Sequence, residues 1–360
     1  SISEAEMGQY LLQSHRVSDE FVQFLNSFGR TIVVLHDPQP LPLVNYLPEH
    51  VPAILRFHPD LSTPDKAVLD FLKPLVMRTE RVIVSDNSYR PRYYPKAQTL
   101  LSFPALDPLN KKNTALTRAE ARRILADGGI DATRPIVSQI SRFDPWKDPL
   151  GVIEAYRIAR RKVPGLQLVM MGLIVAEDDP EAKGLYASVC AEAESDPDIY
   201  LFGEKTPPAG YENDVFVNAL QSGSDIVLQK SKREGLGLAR TEAMWKGAAV
   251  IGGDVTGIRH QINNGKNGYR IRSIRECAER MVKLLQNEPL RASLGEAAHR
   301  TVQQKFLMPR LIEDHVSLYR ALTQGKKSVQ YAVPGPRPIG IIASQRAIKE
   351  RTPRSLIGKR

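Results

Sequence analysis

The sequence predicts an α/β protein made of two facing Rossmann-like parallel-sheet domains, on three observations. Short apolar runs alternate with amphipathic helical segments along most of the chain. The polar clusters that could carry chemistry fall just after the apolar runs, where the strands of an open parallel sheet end and ligands bind. At 360 residues the chain has material for about two domains with buried cores.

The first domain is expected over 1–129. Residues 1–28 offer helix material. The run 31–35 reads as a strand ending at His36-Asp37, and 53–57 as a second ending at His58. A helix over 65–76 places Val68, Leu69, Leu72 and Leu75 on one face, and 81–85 reads as a third strand. The stretch 100–110, with Pro104 and Pro108, reads as the exit from this sheet. Three legible strands make this domain short, because a stand-alone doubly wound unit has five or six. A helix over 117–127, closed by Gly128-Gly129, follows.

The second domain is expected over 130–305. It opens with a strand over 136–140, a helix over 149–163, a Pro164-Gly165 turn and a strand over 166–171. A strand over 225–229 leads through a glycine-containing loop into a helix over 239–246 that stops at Gly247. A strand over 248–251 and a turn at 265–268 follow. A helix over 307–322, within 306–324, is expected to pack back on the rest of the chain, and 325–360 reads as a poorly ordered basic tail.

The 42% hydrophobic and 25% charged content is that of an ordinary soluble globular protein, and no apolar run reaches the ~20 residues of a membrane helix. No signal peptide is legible, and Cys190 and Cys277 lack ligand-like spacing, so free thiols in a reducing cytoplasm are expected, with no metal. The net charge of +10 suggests nucleic acid, but the tail holds nine basic residues against one acid, Glu350, leaving the body nearly neutral. Nucleic-acid or acidic-partner binding is therefore confined to that tail, and self-association stays open.

Four clusters sit at strand exits. Glu234-Gly235-Leu236-Gly237-Leu238 leads into a helix bearing Glu242. The glycines let a ligand approach the backbone while helix-start N–H groups face it, which suits a hydroxyl-rich, phosphorylated ligand. Arg142 and Lys147 flank an Asp-Pro turn and can offer two cations to phosphate oxygens. In the first domain, His36, Asp37 and Gln39 follow one strand, while Arg56 and His58 close the next. No serine or cysteine nucleophile with a paired base is visible.

These motifs resemble the retaining GT-B glycosyltransferases that include trehalose glycosyltransferring synthase and trehalose phosphorylase. The resemblance covers about 33–322. It rests on HDPQP (36–40), RFHPDLS (56–62), SRFDPWK (141–147), EDDPE (177–181), REGLGLARTEAMWKG (233–247) and GIRHQINNGKNGY (257–269). It implies a GT-B fold with the nucleotide sugar held mainly by the second domain. Arg142 and Lys147 would neutralise the donor's diphosphate in place of a metal. Glu234 would bind donor-sugar hydroxyls and Glu242 the ribose, while backbone N–H groups around Leu236–Leu238 complete the phosphate cradle. His58 would hydrogen-bond the donor sugar near the reacting carbon, with His36, Asp37, Gln39 and Arg56 on the acceptor side.

The activity implied is transfer of glucose from a nucleoside-diphosphate glucose to a glucose acceptor, forming trehalose, with no cofactor beyond the donor. A different acceptor, a phosphorylase direction, or a non-catalytic nucleotide-sugar-binding protein are the alternatives. Family members carry an N-terminal glycine-rich loop that residues 1–30 do not supply, which implies an N-terminal domain that is truncated.

Overall fold

The computed structural model describes residues 2–172, 180–203 and 210–323, without the side chains of 180–182. The basic tail and most of the 177–181 motif lie outside the described residues. The chain divides into two compact units: residues to Ser102 together with the chain from Asp314, and Phe103–Glu313.

The first unit begins with helices α1 (Glu4–Arg16) and α2 (Ser18–Asn26). Strands β1 (Val33–His36), β2 (Ala53–Arg56), β3 (Arg81–Val84) and β4 (Thr99–Leu101) form one fully parallel sheet in that order. Helix α3 (Lys66–Val76) crosses between β2 and β3. Asp65 caps its first turn by accepting from the Ala67 and Val68 N–H groups, and Leu72, Leu75 and Val76 are buried. The sheet thus has four strands rather than three. The missed strand, Thr-Leu-Leu, is only three residues long and runs into Ser102 and Pro104, too short for a period-2 pattern to register.

The other face of this sheet is closed from a distance in sequence. Leu318, Tyr319 and Leu322, on the last helix (Met308–Thr323), pack with Ile54 and Ile83. Ser102 Oγ donates to Asp314 Oδ2 at 2.8 Å.

In the second unit the elements are α4 (Arg118–Asp127), β5 (Ile136–Ile140), α5 (Pro149–Arg160), β6 (Gln167–Met171), α6 (Pro180–Ala193), β7 (Ile199–Phe202), α7 (Asn213–Gly223), β8 (Ile226–Gln229), α8 (Leu238–Trp245), β9 (Ala249–Gly253), α9 (Thr256–Arg259), β10 (Tyr269–Ile271), α10 (Ile274–Leu285) and α11 (Glu288–Lys305). Its six parallel strands run β10-β9-β8-β5-β6-β7. Strands β5, β6, β8 and β9 are buried along their whole length, as expected for a sheet covered by helices on both faces.

The boundary expected at 129–130 falls instead at Ser102–Phe103. Helix α4 belongs to the second unit because Ala121, Ile124 and Leu125 share one core with Phe216, Val217 and Leu220 of α7. Burying a side chain such as Phe216 stabilises by about 1.5–3 kcal/mol. The stretch expected as a separate element at 306–324 is also divided, since the first unit resumes at Asp314.

Candidate donor-binding site

The strand order places a topological switch between β5 and β8. From β5 the chain winds outward through β6 and β7, and from β8 outward through β9 and β10. Loops leaving the carboxyl ends of β5 and β8 therefore diverge and open a crevice. The 141–147 and 230–237 segments are those two loops.

Their charged groups meet in a pair 87 residues apart in sequence. Lys147 Nζ lies 2.7 Å from Glu234 Oε2, with side-chain exposures of 16% and 9%. The same carboxylate oxygen accepts from Gln229 Nε2 and from Ser231 Oγ, each at 3.2 Å. The donors that hold this Glu234 oxygen include the Lys147 cation and two neutral side chains. Arg142 does not join this pair. Its Nη2 lies 3.0 Å from Asp144 Oδ2 without hydrogen-bond alignment, and its side chain is 66% exposed. The two cations expected to point into one space are bound to different carboxylates, and Arg142 is the more exposed of the two.

The turn between them is fixed by Asp144. Its Oδ1 accepts from the Trp146 and Lys147 N–H groups at 2.9 and 3.1 Å. Gln139, buried in β5, joins the loops directly: its Nε2 donates to Lys147 O and its Oε1 accepts from Lys230 N, both at 2.9 Å. Behind the loops, Lys230 and Asp148 form a buried ion pair, and Lys232 Nζ reaches Asp148 Oδ1 at 2.8 Å. Asp148 has a left-handed backbone with φ 50°, a conformation that aspartate and asparagine adopt more readily than other residues with a Cβ.

Gly235, Leu236, Gly237 and Leu238 form the turn into α8. Gly237 has φ 87° and caps that helix, and a Cβ there would also sit 3.1 Å from Glu234 Cδ. Leu236 is buried, and its carbonyl accepts from Arg240 Nη2 at 2.6 Å and Gln261 Nε2 at 2.9 Å. Arg240 is fully buried, and burial pushes its guanidinium down to about 10. From the other side, a Cβ on Gly257 would lie 2.4 Å from Glu234 O, so α9 is seated directly on the loop backbone.

Glu242 lies on α8 in a second polar group. Its Oε2 accepts from Gln221 Nε2 at 3.1 Å, and Lys112 Nζ is 3.7 Å from its Oε1. Lys246 Nζ donates to Gln221 Oε1 at 2.5 Å and to Asn113 Oδ1 at 3.1 Å. Burial pushes Lys246 down to about 7, with Glu242 opposing the shift and Lys112 adding to it. Glu242, Lys112, Asn113 and Leu238 line a cavity of about 140 Å³.

In the first unit, His36 Nδ1 and His58 Nε2 are 2.9 Å apart with their rings stacked. Asp37, at φ 67°, accepts from His58 N at 2.7 Å and so locks the two strand ends together. Burial lowers the pKa of both imidazoles, and the Arg56 charge lowers them further. Arg56 is buried, with Nη2 3.4 Å from Ser102 O and Nη1 3.5 Å from His315 Nε2. Gln39 is exposed on the following turn, outside this hydrogen-bonded group.

Sequence reasoning did not find Gln139, Gln229, Ser231, Gln221, Lys112 or Lys246. One signal was available for the first two: a glutamine at or next to the end of an otherwise apolar buried strand must find partners there. Among the described residues no group of three or more His, Cys, Asp or Glu side chains could hold a metal, and no helix is long and apolar enough to cross a membrane.

Two parallel-sheet α/β units, with a charged crevice at the switch point of the second, define a GT-B glycosyltransferase. Residues 120–301 match the family described as glycosyl transferases group 1, and residues 2–91 match that described as trehalose synthase, N-terminal domain. The chain belongs to the group 1 glycosyl transferases. It is 40% identical over 294 residues to a trehalose synthase of Rubrobacter xylanophilus, covering 81% of this chain and 69% of that protein. It is 35% identical over 317 residues to a trehalose synthase of Pyrococcus horikoshii, covering 88% and 74%. Among solved structures, Anabaena HepE in complex with UDP and glucose is similar in fold, with a TM-score of 0.70 at 16% identity, covering 86% of this chain and 82% of that one.

Proposed function

We propose that this glycosyltransferase moves glucose from a nucleoside-diphosphate glucose to glucose, with retention at the anomeric carbon, forming trehalose. The observation that carries the reading is the Lys147–Glu234 pair at the β5/β8 switch point. A diphosphate entering this crevice competes for Lys147 and draws in the exposed Arg142. Glu234 is then released to accept hydrogen bonds from the donor's hexose hydroxyls, while Gln229 and Ser231 keep it in place. The relatives named trehalose synthase support glucose as the transferred sugar and the acceptor.

In the reaction the bond from the sugar's C1 to the diphosphate oxygen breaks, and a bond from C1 to the acceptor hydroxyl oxygen forms on the same face. The acceptor proton passes to the departing diphosphate. Lys147 and Arg142 offset the charge that develops on that leaving group, so positioning and electrostatics supply the catalysis without a protein nucleophile or a metal. Glu242, held by Gln221, takes the ribose hydroxyls, and the N–H groups near Leu236–Leu238 contact the phosphates. His58 recognises the donor sugar near C1. His36, Asp37, Gln39 and Arg56 serve the acceptor. Burial holds both histidines toward the neutral form. With His36 Nδ1 and His58 Nε2 bonded to each other, the pair keeps one donor and one acceptor nitrogen for sugar hydroxyls, at His36 Nε2 and His58 Nδ1.

The test is calorimetric titration with UDP-, ADP- and GDP-glucose, followed by chromatographic assay of trehalose from each donor, and from glucose 1-phosphate, with glucose. Binding of at least one donor and appearance of trehalose is the expected result. Failure of all three to bind sinks the reading, and trehalose formed only from glucose 1-phosphate moves it to a phosphorylase.

A further inference from the structure

We propose that the second unit carries an anion site at the amino ends of β5 and β8, built to hold a dianionic phosphate group. The concavity there has a volume of about 550 Å³, and Arg118, Arg122, Arg134, Arg291, Asp225 and Leu285 are among its lining residues. Four guanidiniums line it, three of them around the Asp225 carboxylate and the fourth paired with Asp198. Asp225 takes Arg118 Nη2 at 2.7 Å, Arg122 Nη2 at 2.8 Å and Arg291 Nη2 at 3.5 Å. It also accepts from Ile136 N at 2.9 Å, which ties the start of β8 to the start of β5.

A carboxylate tether of this kind needs only one arginine, which can hold it through two parallel N–H···O bonds. Here three share it and a fourth, Arg134, is anchored at the rim by Asp198 at 2.7 Å and by Gly165 O at 2.9 Å. The surplus positive charge is gathered in one concave surface, where the field is focused and a counter-anion is favoured. The like charges act on each other: burial lowers the proton affinity of Arg122, and Arg118 and Arg291 lower it further against the opposing pull of Asp225.

Their geometry is set in advance. Arg122 is committed to the carbonyls of Gly223, Ala132 and Arg134, and Arg291 to that of Leu284. Arg118 is half-exposed and spends one nitrogen on Asp225, so the rest of its planar fork points to a bidentate oxyanion. The volume is that of a small-molecule site rather than a bare ion, and Leu285 offers an apolar wall for the carbon skeleton of a phosphate ester. This site lies at the opposite ends of β5 and β8 from the Lys147 and Glu234 loops, about 15 Å away along a five-residue strand.

The experiment is calorimetric titration of the full chain with orthophosphate and with glucose 6-phosphate, in wild type, Arg118→Ala and Lys147→Ala. Both anions bind the wild type, more weakly as salt is raised, and Arg118→Ala weakens them about tenfold. Lys147→Ala leaves the Arg118-sensitive binding unchanged. Equal affinities identify free phosphate as the source, and tighter binding of the ester identifies a phosphorylated metabolite. A variant-free readout is hydrogen exchange, which slows at 118–134 and 285–291 on adding either anion. No binding by the wild type, binding unaffected by Arg118→Ala, or protection confined to 141–147 and 231–238 overturns the proposal.

Discussion

Replacing Lys147 by methionine removes the cation from a carboxylate that is 9% exposed, and the structure sets the size of the response. At 2.7 Å the gross attraction is about 6 kcal/mol for an effective dielectric of about 20, and desolvating both ends takes back most of it. Stranding a fully uncompensated buried charge costs about 3–5 kcal/mol. Glu234 keeps the Gln229 and Ser231 donors, so Lys147→Met should cost about 2–3 kcal/mol. Glu234→Gln should cost less, because Lys147 can turn toward solvent. The double variant should therefore show a coupling of about 2 kcal/mol. The chain has two tryptophans, Trp146 and Trp245, both in the second unit, so urea unfolding followed by tryptophan fluorescence reports that unit alone. A coupling below about 0.5 kcal/mol would refute the energetic reading of the pair. Lys147→Met should also abolish donor binding in the same titration that the wild type passes.

Lys246 makes a pH prediction. Its folded pKa of about 7 lies below its ordinary 10.5, so the unfolded chain binds more protons between those values. Stability should rise with pH across that window, by at most about 1.4 kcal/mol per unit, and urea midpoints of Lys246→Met should lack that rise. Gly257→Ala should push a methyl into the Glu234 and Gly235 carbonyls, costing about 1–3 kcal/mol and raising the Kd for the donor, with circular dichroism confirming that the fold is kept. Asp148→Asn should cost about 3–5 kcal/mol, because it leaves Lys230 buried without its counter-charge; a fluorescence melt within error of wild type would count against that pair.

How much the sequence revealed follows from what each element asks of its residues. The strand at 136–140 was legible to its last residue because Pro135 and Ser141 bracket Ile136, Val137 and Ile140. Helix α4 was legible because Gly128-Gly129 closes it, and its first turn is held by a capping box between Thr117 and Glu120. Strands β4 and β10, three residues each, fall below the length at which alternation can be seen. In the site, Arg142, Lys147, Glu234 and Glu242 stood out by charge and position. Their partners did not, because Lys147 meets Glu234 only once β5 and β8 are neighbours. Gln139 and Gln229 were legible only as strand residues, and only the folded loops show what they join.

The helix that closes the first unit sets the order in which the protein can be completed at the ribosome. Arg30 binds the carbonyl of Thr323 across 293 residues, and Ser102 binds Asp314 across 212. At about 5–20 residues per second, the nascent sheet waits roughly 10–40 seconds after Ser102 appears before Asp314 is made. Throughout that interval Ile54 and Ile83 lack Leu318, Tyr319 and Leu322, while the second unit, continuous in sequence, can fold as it emerges. The unit whose sheet emerges first is therefore the unit completed last, with one apolar sheet face bare until the closing helix is made.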